Sequence, residues 1–289
     1  MKKYKCSVCG YIHEGDTPPA KCPVCGVPAE KFELIEDSST QKKSKGFLGG
    51  KDSSAYIIFY SVVMVVLVAV VLAVTSLSLQ DKQNANIMNE KKDAITASMG
   101  EAIGTYDQLI NAFAVDNSGK VIESISADDA LNMLFDLPAA FADGTYPVFE
   151  NKENGEVVIP LTGKGLWDDI WGYIALEGDM NTVKGVVFDH AGETPGLGAE
   201  IATPKYQAQF PGKEIFNNGE LVSISVVKGG AEEGDKHGVD AISGGTKTCN
   251  GLENMIRNCL TYYVPYFESK TVGANETNDV EPVNTESNE

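Results

Sequence analysis

The sequence predicts an α+β protein in three parts: a small metal-knuckle module, one transmembrane helix, and a larger domain with a mostly antiparallel sheet. Three observations predict it. Four cysteines stand as C-x2-C-x12-C-x2-C near the N-terminus. A long run without a charged residue follows, Ala55 to Leu79. Beyond it, short β-rich runs alternate with turn residues and helical patterns. The net charge of −18 argues against a nucleic-acid partner, because phosphate binding needs clustered Lys and Arg.

Residues 1–36 carry Cys6, Cys9, Cys22 and Cys25, with Gly10 and Gly26 after the two pairs. Two cysteines two apart can bind one ion, and the glycine lets backbone N–H groups turn toward the sulfurs. Two such knuckles make a closed tetrahedral site for iron or zinc. A disulfide pair is the competing reading, against which the repeated CxxCG form speaks. So short a block has little core, so the metal supplies much of its folding energy. "YKCSVCGYIHEG" and "KCPVCGVPAEKFE" resemble a rubredoxin of the short type found at the end of rubrerythrins. Tyr4, Tyr11 and Phe32 stand where that family has a small aromatic cluster. The resemblance implies iron and electron transfer, with a structural zinc ribbon as the alternative. His13 reads as a surface histidine, since four thiolates already close the site.

Residues 37–54, rich in Ser, Gly and Lys, read as a flexible basic linker. Residues 55–79, as a helix, span about 37 Å, enough for a bilayer core of about 30 Å. Lys42, Lys43, Lys45 and Lys51 crowd its N-terminal side. The positive-inside rule therefore puts the cysteine module in the cytoplasm and the rest of the chain outside, in the periplasm of a diderm cell. Reduced thiols suit that side. Tyr56 and Tyr60 are interface anchors.

Residues 80–269 form the outer domain. A helical stalk leads into it, "NMLFDLPAAF" reads as a short helix, and "EVVIPL", "WGYIAL", "TVKGVVF" and "LVSISVV" read as strands. From Asn250, the residues Leu252, Met255, Ile256, Cys259, Leu260 and Tyr263 mark one apolar helix face. Residues 270–289 read as a disordered acidic tail. Cys249 and Cys259, ten positions apart on one helix, would be separated by about 15 Å, whereas a disulfide needs under about 7 Å between Cα atoms. Both are expected to be free, with Cys259 in the core.

Three stretches read more like a site than a scaffold: "LTGKGLWDDIWGYIAL", "FDHAGETPGLGAEI" and "HGVDAISGGTKTCNG". Singly, each has a bland reading: Trp167 and Trp171 as core, "ETPGLG" as a turn, "SGGT" as a loop. Together and in this order they resemble the NqrC family, the flavin-carrying subunits of the sodium-translocating NADH:quinone reductases, with the related RnfG subunits of the Rnf complexes behind it. The resemblance runs from about Gln80 to Phe267. It implies covalent FMN, held by a phosphoester to the last threonine of D-x-x-S-G-x-T, which here is Thr246. The motif departs at Gly245, where the family usually has alanine. Thr248 is the competing hydroxyl.

The turn suits an anion. A helix entrance offers free N–H groups and the positive dipole end, and Gly244 and Gly245, after Ser243, let backbone approach a phosphate. The resemblance implies that Asp240 belongs to the signal read by a flavin transferase; capping a turn is its plain alternative. Glu193, Thr194, Leu197 and Gly198, with Leu166 and Trp167, are the candidate walls around the flavin ring. His190 reads as structural. No G-x-G-x-x-G follows a strand, so NADH binds elsewhere. The implied role is an electron-transfer subunit among other membrane subunits of a sodium-pumping NADH:quinone reductase. The alternatives are a subunit of a ferredoxin:NAD oxidoreductase, a membrane-anchored flavin sensor, and a structural adaptor. With about 30 Å of hydrocarbon between them, the metal module and the flavin are expected to work separately.

Overall fold

The computed structural model describes residues 2–35 and 54–276. The chain divides into two compact units at Leu79 and Gln80, each taken by itself. The linker expected at 37–54 lies outside the described residues apart from Ser54, where a helix begins.

The first unit opens with β1 (Lys2–Cys6), β2 (Ile12–Gly15) and β3 (Phe32–Ile35), an antiparallel sheet in the order β2-β1-β3. Tyr4 pairs with His13 on one side and Leu34 on the other. Among its described residues the buried apolar side chains are Cys6 and Cys22. A sheet with so little core needs another source of cohesion.

The helix α1 (Ser54–Ser98) follows. From Ile57 to Leu79 every side chain is exposed, and none is charged. An apolar surface all round a helix is stable in lipid and costly in water. From Gln80 on, polar residues take over, and Ile95 and Met99 enter the core of the second unit.

The second unit is built on a five-stranded antiparallel sheet in chain order: β4 (Ile110–Val115), β5 (Tyr146–Asn151), β6 (Val157–Lys164), β7 (Asp169–Leu176) and β8 (Val183–His190). The short helices α2 (Tyr106–Leu109), α3 (Ala127–Asn132) and α4 (Leu137–Ala142) flank β4 and β5. Ser126 and Asp129 form a capping box on α3. After β8 come α5 (Pro204–Gln207), the hairpin β9 (Phe216–Asn217) and β10 (Glu220–Leu221), then β11 (Ser225–Val227) and β12 (Gly238–Asp240). The long α6 (Thr246–Glu276) closes the fold. Val157 to Leu161 are all buried, so both faces of the sheet are covered. The α6 face expected from its spacing is buried throughout, from Leu252 to Tyr263, and continues to Tyr266 and Phe267.

Three expectations need correction. "LVSISVV" is not one strand of the main sheet: Leu221 ends β10 in the small hairpin, and Ser225–Val227 forms a separate parallel pair with Gly238–Asp240. Ser223 takes φ 63°, and the N–H groups of Val222 and Ser223 both bond to Ile215 O, which breaks the run. The last helix starts at Thr246, before Asn250. It also runs through Lys270 to Glu276, where the acidic tail was expected to begin; Lys270 is tied to Glu150 at 2.8 Å. Residues 277–289 lie outside the described residues. Cys249 and Cys259 are free and buried.

Candidate functional site

The two knuckles repeat one hydrogen-bond plan. Cys6 N–H bonds to Tyr11 O and Cys22 N–H to Val27 O, both at 2.8 Å. Gly10 and Gly26 N–H return to Cys6 O and Cys22 O, both at 2.9 Å and with φ 75° at each glycine. The four Sγ atoms lie within 4.8 Å of one another, with Cys6 to Cys25 at 3.7 Å and Cys9 to Cys22 at 3.5 Å. Four sulfurs about 2.3 Å from one tetrahedral ion would be about 3.8 Å apart, so the set fits such an ion. Burial pushes the Cys22 thiol up, but the Cys25 and Val24 N–H groups and its thiol neighbours bring it down to about 7. Cys6 and Cys22 are buried, whereas Cys9 and Cys25 are exposed.

The second candidate site lies at one end of the large sheet. Lys164 pairs with Asp169 and Ile170 with His190, so the β6–β7 hairpin tip and the loop after β8 leave from the same end. The tip is Gly165 to Asp168, closed by Gly165 N–H to Asp168 O at 2.9 Å. It presents Leu166, and Trp167 at 70% exposure, so Trp167 is not a core residue. Trp171, on β7, is half-buried. In the loop after β8, Thr194 and Leu197 are exposed and Gly198 is buried. Helix α6 is pressed against the hairpin: a Cβ at Gly251 would lie 2.3 Å from Lys164 O.

Glu193 stands apart from the other candidate wall residues. It is 4% exposed and turned inward. Its Oε1 accepts the N–H groups of Leu166 and Trp167 at 2.8 and 2.9 Å, and its Oε2 accepts the Thr248 hydroxyl at 2.6 Å. Burial pushes its carboxyl up, but the bonds from Thr248, Trp167 and Leu166 outweigh that and hold it below the usual range. His190 is structural in its contacts: its Nδ1 accepts Glu193 N–H at 3.3 Å.

The glycine-hinged turn follows β12. Gly245 N–H bonds to Ile242 O at 3.0 Å, and Gly245 O accepts Cys249 N–H at 2.9 Å, so Gly245 caps α6 and Thr246 is its first residue. Gly244 has φ 77°, open to glycine at little cost, and a Cβ there would meet Leu197 Cδ2 at 2.7 Å. The loop after β8 therefore touches the turn. Ser243, Gly244 and Thr246 border a cavity of about 460 Å³ that also reaches Lys228, Gly230 and Asp240. Asp240 Oδ1 accepts Ala231 N–H at 2.8 Å, which ties β12 to the residue after the Lys228–Gly229–Gly230 turn on the cavity wall. Thr248 is not among the residues that border this cavity and is 1% exposed.

Sequence reasoning missed Lys228. Its signal is one cation followed by two glycines in an acidic chain, and only the fold brings it to the cavity that Thr246 also borders. A larger groove of about 550 Å³ lies between α1 and β7–β8, lined by Lys91, Trp171 and Phe188 among others, and none of the three motif tips borders it.

A cavity-lining hydroxyl on a helix entrance, a lysine on the same cavity, and exposed Leu and Trp side chains at the same sheet end suit a flavin-binding domain. The "FMN-binding domain" family matches residues 165–261, and "Rubrerythrin, rubredoxin-like domain" matches residues 4–33. The chain belongs to the NqrC family of the Na(+)-translocating NADH-quinone reductases. It is 30% identical over 226 residues to the family's member from Vibrio anguillarum, covering 70% of this chain and 89% of the relative. Against the Vibrio parahaemolyticus relative it is 33% identical over 215 residues, covering 64% and 82%. The crystal structure of the corresponding protein from Parabacteroides distasonis superposes with a TM-score of 0.60 at 37% identity, covering 65% of this chain and 96% of that one. Shewanella oneidensis NqrC gives 0.56 at 29% identity, covering 65% and 99%.

Proposed function

We propose that this chain is an electron-transfer subunit of a membrane Na+-translocating NADH:quinone reductase and carries FMN through a phosphoester to Thr246 Oγ. Bound FMN supplies the chemistry of accepting electrons and passing them on. The chain's residues hold it. Thr246 offers the oxygen, and ester formation formally releases one water. The first N–H groups of α6, free of partners within the helix, face the phosphate with Lys228 as its counter-charge. Leu166, Trp167 and Leu197 form an apolar wall for the ring, with Thr194 at its polar edge. Ser243, Gly244 and Gly245 keep the backbone low at the attachment point. Asp240 shapes the turn that a flavin transferase reads. Cys6, Cys9, Cys22 and Cys25 hold iron, with zinc as the structural alternative. The lysines at 42, 43, 45 and 51 keep the metal module in the cytoplasm, so the flavin domain lies outside the cell membrane. Other membrane subunits connect the two redox sites.

The observation that carries this reading is the contrast between two hydroxyls: Thr246 borders the cavity, and Thr248 is buried against Glu193. The test is in-gel flavin fluorescence after denaturation, in a host with a flavin transferase. Thr248→Val is expected to stay fluorescent and Thr246→Ala to be dark. A fluorescent Thr246→Ala band contradicts the assignment.

A further inference from the structure

The buried carboxylate of Glu193 is where the three motifs meet. It takes two N–H groups from the hairpin tip and one hydroxyl from the first turns of α6. Space for it comes from missing side chains: a Cβ at Gly165 would lie 2.4 Å from Oε1, and one at Gly198 2.3 Å from Oε2. Gly198 also leaves room for Thr248, whose Oγ1 would sit 2.4 Å from that same Cβ. Both carboxylate oxygens are engaged, and hydrogen bonds to an ionised acceptor are roughly twice as strong as neutral ones.

We propose that Glu193 is a positioning residue for the flavin site: it clasps the Leu166–Trp167 tip to the helix that begins at Thr246. The ring wall and the attachment oxygen then keep one relative geometry. Thr248 is the latch of this clasp. The proposal rests on the flavin reading for what is positioned, and on the contacts alone for the clasp. Its chemistry is specific: serine at 248 keeps the donor, whereas valine keeps the shape and loses it.

The test uses the full chain in detergent, prepared with and without a flavin transferase in the host, as wild type, Thr248→Ser, Thr248→Val and Glu193→Ala. In flavin-free protein, amide hydrogen exchange at Leu166 and Trp167 is expected to be slow in the wild type and Thr248→Ser. It should be about tenfold or more faster in Thr248→Val and Glu193→Ala, with the β6–β7 ladder still protected. In flavin-loaded protein, the anisotropy of the attached flavin should fall in Thr248→Val and recover in Thr248→Ser. Equal exchange at both amides in the wild type and Thr248→Val overturns the clasp. Loss of protection across the whole β6–β7 ladder in both disruptive variants overturns it too, because the contacts would then serve folding alone. Absence of flavin from all four proteins in the decorating host overturns the attachment reading, and exchange in the flavin-free protein still decides the clasp.

Discussion

Thr246 and Thr248 are two positions apart on one helix, and residues at that spacing do not share a face. That offset separates the cavity-lining hydroxyl of Thr246 from the buried donor of Thr248. Thr248 and the two tip N–H groups keep the Glu193 carboxyl ionised, against the opposing effect of its burial. Because its folded value is lowered, its contribution to stability is present above the unfolded value of about 4.3 and is lost as pH falls through the folded value. Denaturant midpoints between pH 7 and strongly acid conditions should therefore fall less steeply in Glu193→Gln than in the wild type. Equal slopes would mean that the carboxylate contributes nothing through its charge. Thr246 was singled out by the family resemblance, whereas the cysteine quartet was legible in the sequence because its spacing alone defines it. The inward turn of Glu193 was not, because it depends on room left by Gly165, 28 positions earlier, and Gly198, five positions later. Lys228 stayed hidden for a similar reason: only the pairing of β11 with β12 brings it to Asp240 and the cavity.

The elements meet through close approach. In an ordinary helix, Gly→Ala gains roughly 1 kcal/mol of propensity. At Gly251 the new methyl would meet Lys164 O, a backbone atom that cannot swing away, and overpacking costs about 1–3 kcal/mol. The second effect is the larger. Gly251→Ala should lower the chemical-denaturation midpoint, while Asn254→Ala, on the exposed side of α6, should change stability by less than about 0.5 kcal/mol. A stabilised Gly251→Ala would mean that α6 does not seat on the hairpin. The apolar run, β6 to β8 and the buried face of α6 were readable from periodicity. The strands "INAFAV" and "YPVFEN" went unread: both are short, and Pro147 interrupts the usual strand signal in the second. "LVSISVV" misled because its β-propensity is high, yet the left-handed turn at Ser223 halts the strand.

At the scale of the molecule, cohesion has two sources. The domain after the stalk has a broad apolar core, whereas residues 2–35 bury little beyond two metal-binding thiols. Chelation under reducing conditions should therefore raise amide exchange throughout residues 2–35 and leave the five-stranded sheet protected. Retained protection in residues 2–35 after metal removal would show that they fold without the ion. On the proposed reading, the cavity-lining hydroxyl of Thr246 carries the flavin. The most direct measurement is a peptide mass spectrum of the chain made in a cell that has a flavin transferase. The peptide spanning the glycine-hinged turn should be heavier by FMN less one water, with fragments placing the addition on Thr246. An unmodified peptide from that host, or the addition on Thr248, would contradict it.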